Sequence, residues 1–369
     1  MALVRFLLAS AILSSLVSCT GMQVRKDDAG HPIRHVFVIV LENEPFEVTF
    51  NENSIAPYLA HELPRQGALL ANYYAIGHLS LDNYIAMISG QAPNKATQAD
   101  CHVFADFVRT RPGLDENGQA LGEGCVYPSD VKTLPDQLEA AGFAWKGYME
   151  DMGADPSRES ATCGHVAVGA ADHTIRATPQ DQYSAKHDPF VYFHSIIDDP
   201  ARCDKHVVNL DALDHDLANA ATTPNFAFIT PNLCHDGHDA PCKNGEPGGL
   251  ISADAFLRAW VPKILASPAF RKDGLLVVTF DEGTANDACC GEQPLPDGSP
   301  PGRFGPGGGR TGAVLISPFI APGTTSAQDY NHYSLLRSIE DLFGLPHLGY
   351  AAAADLPAFG KDVYTSEVK

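Results

Sequence analysis

Two acidic-polar pairs, Glu42-Asn43 and Asp281-Glu282, each stand directly after an apolar run, at 35–41 and 275–280. A continuous apolar run reads as a strand covered on both faces, as in a parallel sheet. In open α/β sheets, ligands gather beyond the carboxyl ends of such strands. The two pairs are therefore expected to meet at one edge of one sheet. Three carboxylates in one place repel one another, and a bound cation is the common remedy. The expected chemistry is that of a metal-assisted site.

A nucleophile is available in Gly77-His78-Leu79-Ser80-Leu81-Asp82-Asn83-Tyr84, where a helix is expected to start at or just after Ser80 and to end at Gly90. A hydroxyl at a helix N-terminus sits among free N–H groups that favour an anion. Next to a metal it loses its proton more readily and can attack phosphorus. The plainer role for Ser80 is that of a helix cap, and the carboxylate pairs tip the reading towards catalysis. Two further polar groups stand where elements begin or end. His235, Asp236, His238 and Asp239 follow the apolar run 225–230, and His332 opens a helix at 332–343. A protonated histidine at such a place can bind a phosphoryl oxygen or protonate a leaving group.

Taken in order, Glu42-Asn43, His78-x-Ser80-x-x-Asn83-Tyr84, Ile229-Thr230-Pro231-Asn232-x-Cys234-x-Asp236-Gly237-His238-Asp239, Thr279-Phe280-Asp281-Glu282-Gly283 and Asn331-His332-Tyr333-Ser334 resemble the phosphoesterase family of acid phosphatases and bacterial phospholipases C, within the wider alkaline-phosphatase superfamily. The resemblance runs from about residue 35 to 350. It implies hydrolysis of phosphate monoesters through a phosphorylated Ser80. The implied metal ligands are Glu42, Asn43, Ser80, Asp281 and Glu282. Asn83, His235 and Asp236 are implied as phosphate-binding, and His332 or His238 as the proton donor. Two-metal relatives carry a His where this chain has Glu282, which favours one metal. An all-oxygen ligand set suits Ca²⁺, Mg²⁺ or Mn²⁺ better than zinc. A phospholipase C-type phosphodiesterase would have nearly the same site. Members of that kind are usually longer at the C-terminus, whereas this chain ends soon after the last expected helix, and this favours the monoesterase. A non-catalytic surface lipoprotein that kept the fold as a binding module is the reading from another class, and the intact Glu42, Ser80, Asp281 and Glu282 set argues against it. Sulfatase chemistry needs a Cys/Ser-x-Pro-x-Arg signature, which Ser80 lacks.

The elements that must position these residues can be read in outline. Apolar runs at 35–41, 143–149, 225–230, 275–280 and 312–317 read as core strands. Helices are expected from Thr133 to about Gly142, from Ser252 onward, and over 332–343. Alternating strands and helices imply an α/β fold: a three-layer α/β/α sandwich around a mainly parallel sheet, alkaline-phosphatase-like. Residues 99–130 and 284–310 break the alternation and read as ordered excursions over the active edge. The whole of 35–369 reads as one domain.

At the N-terminus, Arg5, an apolar stretch and Leu16-Val17-Ser18-Cys19 have the layout of a secretory signal, 1–18, of the lipoprotein type. Cys19 would carry the lipid, and 20–34 would be a tether. The expected location is exported, as a bacterial periplasmic or cell-surface lipoprotein that touches the membrane only through its anchor. The net charge of -20 becomes -21 without residues 1–18, whose one charge is Arg5. Such a surface repels nucleic acid and anionic membranes, leaving a small-molecule or lipid phosphoester as the expected partner. Of nine cysteines, the eight beyond Cys19 are expected to pair as disulfides. The adjacent Cys289 and Cys290 are expected to take two different partners. A zinc site is disfavoured because Cys-x-x-Cys spacing is missing.

Overall fold

The computed structural model describes residues 32–364; the signal, Cys19 and most of the tether lie outside the described residues. Eight strands form one sheet: β1 (His35–Leu41), β2 (Ala68–Leu70), β3 (Trp145–Met149), β4 (Val207–Asn209), β5 (Phe226–Thr230), β6 (Gly274–Phe280), β7 (Ala313–Ile316) and β8 (Thr324–Ser326). Their order across the sheet is β8-β2-β7-β6-β1-β5-β3-β4. β6, β1, β5, β3 and β4 run parallel to one another. β7 runs antiparallel to both β6 and β2. It follows the 284–310 excursion, which leaves the chain at the carboxyl edge with no helix to carry it back, so the strand can only run the other way.

Every residue of β1 and β6 is buried, as continuous apolar runs demand. On one face Val36, Val38, Val40, Leu275 and Val277 pack with α1 (Ser80–Ser89), α2 (Leu134–Ala140) and α4 (His332–Phe343). On the other, Phe37, Ile39, Leu41, Leu276, Val278 and Phe280 pack with α3 (Gly249–Ala266). These are the three expected layers. α2 starts with a full capping box between Thr133 and Asp136. α3 begins three residues before Ser252, whose Oγ accepts from Gly248 N at 2.9 Å and so caps the helix from inside its first turn. Strands β2, β4 and β8 are additions to the expected set.

Both excursions are built structures. Val108–Arg109 pairs with Gly122–Glu123 above the Cys101–Cys125 disulfide. The 284–310 segment hangs on the loop before Ser80, with Gly308 N donating to Ala75 O at 3.1 Å and His78 Nε2 2.8 Å from Ala285 O. The pairing expected for the last two cysteines is corrected: Cys289 and Cys290 bridge each other. Cys290 packs with Ile76, Tyr333 and Leu356, so the adjacent pair forms a compact apolar foot for the excursion. The other disulfides are Cys163–Cys203 and Cys234–Cys242.

Candidate active site

Sheet register assembles the centre. Leu41 pairs with Phe280 and Ile39 with Ile229, so the residues that follow β1 and β6 emerge side by side. Asp281 N donates to Leu41 O at 2.8 Å, and Glu42 N to Asp236 O at 2.7 Å. Glu42, Asp236 and Asp281 are all fully buried. Asn43, at φ 61°, adopts the left-handed conformation that Asn tolerates. Its N–H reaches Asp281 Oδ1 at 3.0 Å and its side chain reaches Glu42 Oε2 at 2.8 Å.

Ser80 is the first residue of α1, with Leu79 in the cap position at φ 71°, ψ 141°. A leucine at positive φ is strained and persists only where its surroundings fix it. Here Leu79 N donates to Glu282 Oε1 at 3.0 Å, and Leu79 O accepts from Asn83 Nδ2 at 3.2 Å. The strained turn aims the Ser80 hydroxyl at Glu42 Oε1, to which it donates. On its other side, Lys186 Nζ lies 3.0 Å from Ser80 Oγ and 3.1 Å from Asp100 Oδ2.

Lys186 and the neighbouring His187 are site residues that sequence reasoning missed. They stand on a single 3-10 turn, Ala185–His187, and their signal was a Lys-His-Asp-Pro run, too short for strand or helix periodicity. His187 Nε2 lies 2.9 Å from Glu42 Oε1, and Nδ1 lies 3.9 Å from Asp236 Oδ2. Its ring stacks on Tyr84 at 5.2 Å. Glu42, His187 and Asp236 each place one ligand atom within 4.8 Å of the others. Neither His187 nitrogen has a well-aligned hydrogen-bond partner, and Asp236 Oδ2 and Asp281 Oδ2 are buried without one. Buried polar atoms are normally satisfied, so this set fits a cation as ligand. Burial alone would raise the Glu42 carboxyl, but Lys186 and His187 hold it well below the usual range. Burial and the Glu42 charge push Asp236 and Asp281 well above theirs. Lys186 stays charged: burial opposes this, but Glu42 and Asp100 outweigh it.

The remaining expected residues divide by position. Both Glu282 oxygens are engaged, one by Leu79 N and the other by His78 Nδ1. Asn83 Oδ1 accepts from Ile76 N and Gly77 N, and Nδ2 donates to Gly77 O and Leu79 O. Its amide is thereby committed to the Ser80 turn, with no donor left over for a phosphate. His235 is bridged between Glu150 and Glu246, 2.9 and 3.1 Å away, so both its ring nitrogens are committed to carboxylates. His332 is fully buried, with Nε2 2.5 Å from Asp281 O and Nδ1 3.0 Å from Tyr73 OH. Burial pushes its pKa down to about 4, which does not suit the expected proton donor. His238 does suit it. Its side chain is half exposed, Nδ1 lies 3.4 Å from Glu42 Oε2, and that contact outweighs burial to raise its pKa to about 9.

A model of the Phosphoesterase family matches residues 48–346. An acid phosphatase from Penicillium chrysogenum, described as phosphate-repressible, is 28% identical over 84% of this chain and 59% of its own length. A probable acid phosphatase from Kluyveromyces lactis is 26% identical over 91% of this chain and 65% of its own length. The chain thus spans under two thirds of these fungal relatives. A phosphatidylinositol-3-phosphatase from Mycobacterium tuberculosis is 26% identical over 94% of this chain and 89% of its own. Among solved structures, a protein in the alkaline phosphatase superfamily from Vibrio parahaemolyticus superposes with a TM-score of 0.50 at 13% identity, covering 90% of this chain and 72% of the other. That likeness is one of fold.

Proposed function

We propose that this chain, which belongs to the Phosphoesterase family, hydrolyses phosphate monoesters through a phosphorylated Ser80. The observation that carries this reading is the Ser80 hydroxyl at a helix N-terminus, held between Glu42 and Lys186. The phosphatase names of its relatives support a monoester, and the mycobacterial one supports a lipid headgroup among the candidates.

A divalent cation would be held by Glu42 and Asp281, with Ser80 and Asn43 beside them and His187 and Asp236 within reach. Bound there, it would supply positive charge that lowers the Ser80 pKa and draws a phosphoryl oxygen. A histidine near the ligand group widens the choice beyond the hardest ions. In the chain's own part of the reaction, the Ser80 proton leaves to solvent, because Glu42, held well below the usual range and committed to the cation, is too weak a base to keep it. The Lys186 ammonium steadies the oxygen left behind. Ser80 Oγ bonds to phosphorus as the bond from phosphorus to the ester oxygen breaks. That oxygen takes the His238 proton. Neutral His238 then takes a proton from the water that splits the phosphoserine, and Ser80 recovers its own.

Disulfides persist in oxidising compartments, so the three bridges between non-adjacent cysteines favour export. No helix among the described residues is long and apolar enough to cross a membrane. Anchoring through Cys19 is part of the proposal. The test is steady-state hydrolysis of phenyl phosphate and of the matching diester, with and without a chelator, beside Ser80→Ala. Monoester turnover should fall by roughly 10³-fold or more in the variant and vanish on chelation. A variant within about tenfold of the wild type would refute Ser80 as nucleophile.

A further inference from the structure

The loop that carries the nucleophile is roofed by one exposed aromatic ring. Phe304 is 67% exposed and is the one aromatic residue among the strongly exposed large apolar side chains of the described residues. Its ring centroid lies 6.1 Å from that of His78, which is itself nearly buried. His78 is two residues before Ser80 and is bound to Glu282, which also holds Leu79 N. Phe304 therefore lies beside the ring that ties the residues before Ser80 to Glu282, with its own ring open to solvent. Behind the ring, the Arg303 guanidinium lies 5.1 Å from its centroid.

The presentation is built. Arg303 has φ 62°, a left-handed conformation that costs a non-glycine residue energy and needs support. Its Nη1 donates to Gln98 O at 2.7 Å, and Gln98 Nε2 returns bonds to Pro300 O and Pro301 O at 3.1 and 2.7 Å. Phe304 N donates to Gly302 O at 2.6 Å. A Cβ on Gly302 would meet Gly307 O at 2.2 Å, so the turn closes only with glycine there. The backbone is fixed on every side while the ring is left in water. Burying it would gain free energy, and no apolar side chain covers it.

We propose that Phe304, backed by Arg303, is the leaving-group subsite of this enzyme and selects phosphate esters of an aromatic alcohol. The proposal rests on the phosphatase reading of Ser80. The phosphoryl group sits at Ser80, the ester oxygen points outward over His78, and a ring on that oxygen meets Phe304. Arg303 adds a cation beside an anionic substrate on a protein of net charge -20, and it polarises the stack from behind.

The experiment compares Phe304→Ala and Phe304→Leu with wild type on phenyl phosphate and glycerol phosphate. The affinities for phenylphosphonate and methylphosphonate, which are not hydrolysed, are measured by calorimetry on the metal-loaded protein. In Phe304→Ala, KM for phenyl phosphate should rise roughly three- to tenfold, the worth of one aromatic pair, with glycerol phosphate within about twofold. Phe304→Leu should fall between, because it keeps apolar area but no flat ring. The preference for phenylphosphonate over methylphosphonate should shrink by the same factor. Equal changes for aryl and alkyl ligands, or none, would overturn the subsite. If wild type binds both phosphonates with the expected preference but hydrolyses neither ester, the phosphatase reading falls and the ring-binding subsite stands.

Discussion

His238 and His332 have the same chemistry in the sequence and opposite surroundings in the fold. His332 is walled in, with both ring nitrogens engaged, so burial keeps it neutral above about pH 4. Its contact with Asp281 O makes it a support for the end of β6. His238 faces solvent above Glu42 and keeps its proton to about 9. A group that protonates a leaving oxygen matters most when that oxygen is a poor leaving group. His238→Gln should therefore slow glycerol phosphate hydrolysis by roughly 10²-fold or more, yet slow p-nitrophenyl phosphate by only about tenfold. Equal losses on the two substrates would remove His238 as the acid for the leaving group. Single residues also explain why the carboxylates were legible and Lys186 was not. Glu42 and Asp281 follow strands that the sequence pattern marks, whereas Lys186 and His187 lie on a single 3-10 turn, where local pattern carries no placement.

At the level of elements, α4 and the 284–310 excursion share one fastening. Asn331 caps α4 by accepting from Ser334 N at 2.9 Å, and its amide donates to Glu292 Oε1 at 2.7 Å. Glu292 in turn accepts from Cys290 N at 3.2 Å. Asn331→Ala removes both bonds next to His332. It should destabilise by about 1–2 kcal/mol, lowering Tm by roughly 1–3 °C in a thermal melt. An unchanged Tm would mean that the cap is dispensable. Glycerol phosphate turnover should fall with it, since His332 is then less well held against Asp281. The strands that bear the site were readable because their apolar runs, 35–41 and 275–280, are rich in Val, Ile and Leu and too short for a buried helix. β2, β4 and β8 are three residues each, too short to show alternation, and pairing with a neighbouring strand rather than pattern makes them strands. The reversed β7 and the Cys289–Cys290 bridge were illegible for the same reason. Both depend on where an excursion of irregular chain returns to the sheet.

Across the whole molecule, buried carboxyls set a preference for acid. Burial raises Asp188 to about 7 and Glu159 to about 8, with the nearby Asp181 adding to the latter. Glu340, on the buried side of α4, is raised by burial to about 9 from 4.5; one oxygen accepts from Leu348 N at 2.9 Å and the other has no hydrogen-bond partner. Each of these groups keeps a proton in the native state that the unfolded chain releases from about pH 4 or 5 upward. The native state therefore binds more protons than the unfolded one, and stability must fall as pH rises. The loss for Glu340 begins above its unfolded pKa and ends near 9. Self-repulsion of the net negative charge acts in the same direction. The melting temperature should thus be higher at pH 5 than at pH 8, by roughly 5–10 °C. Glu340→Gln separates the two causes. It keeps the acceptor for Leu348 N, changes net charge by one unit, and removes the buried proton equilibrium. If burial of Glu340 is a main cause, the variant should lose little at pH 5 and gain at pH 8, flattening the dependence by about a third. If the variant's melting temperatures run parallel to wild type across that range, the acid preference belongs to surface charge instead.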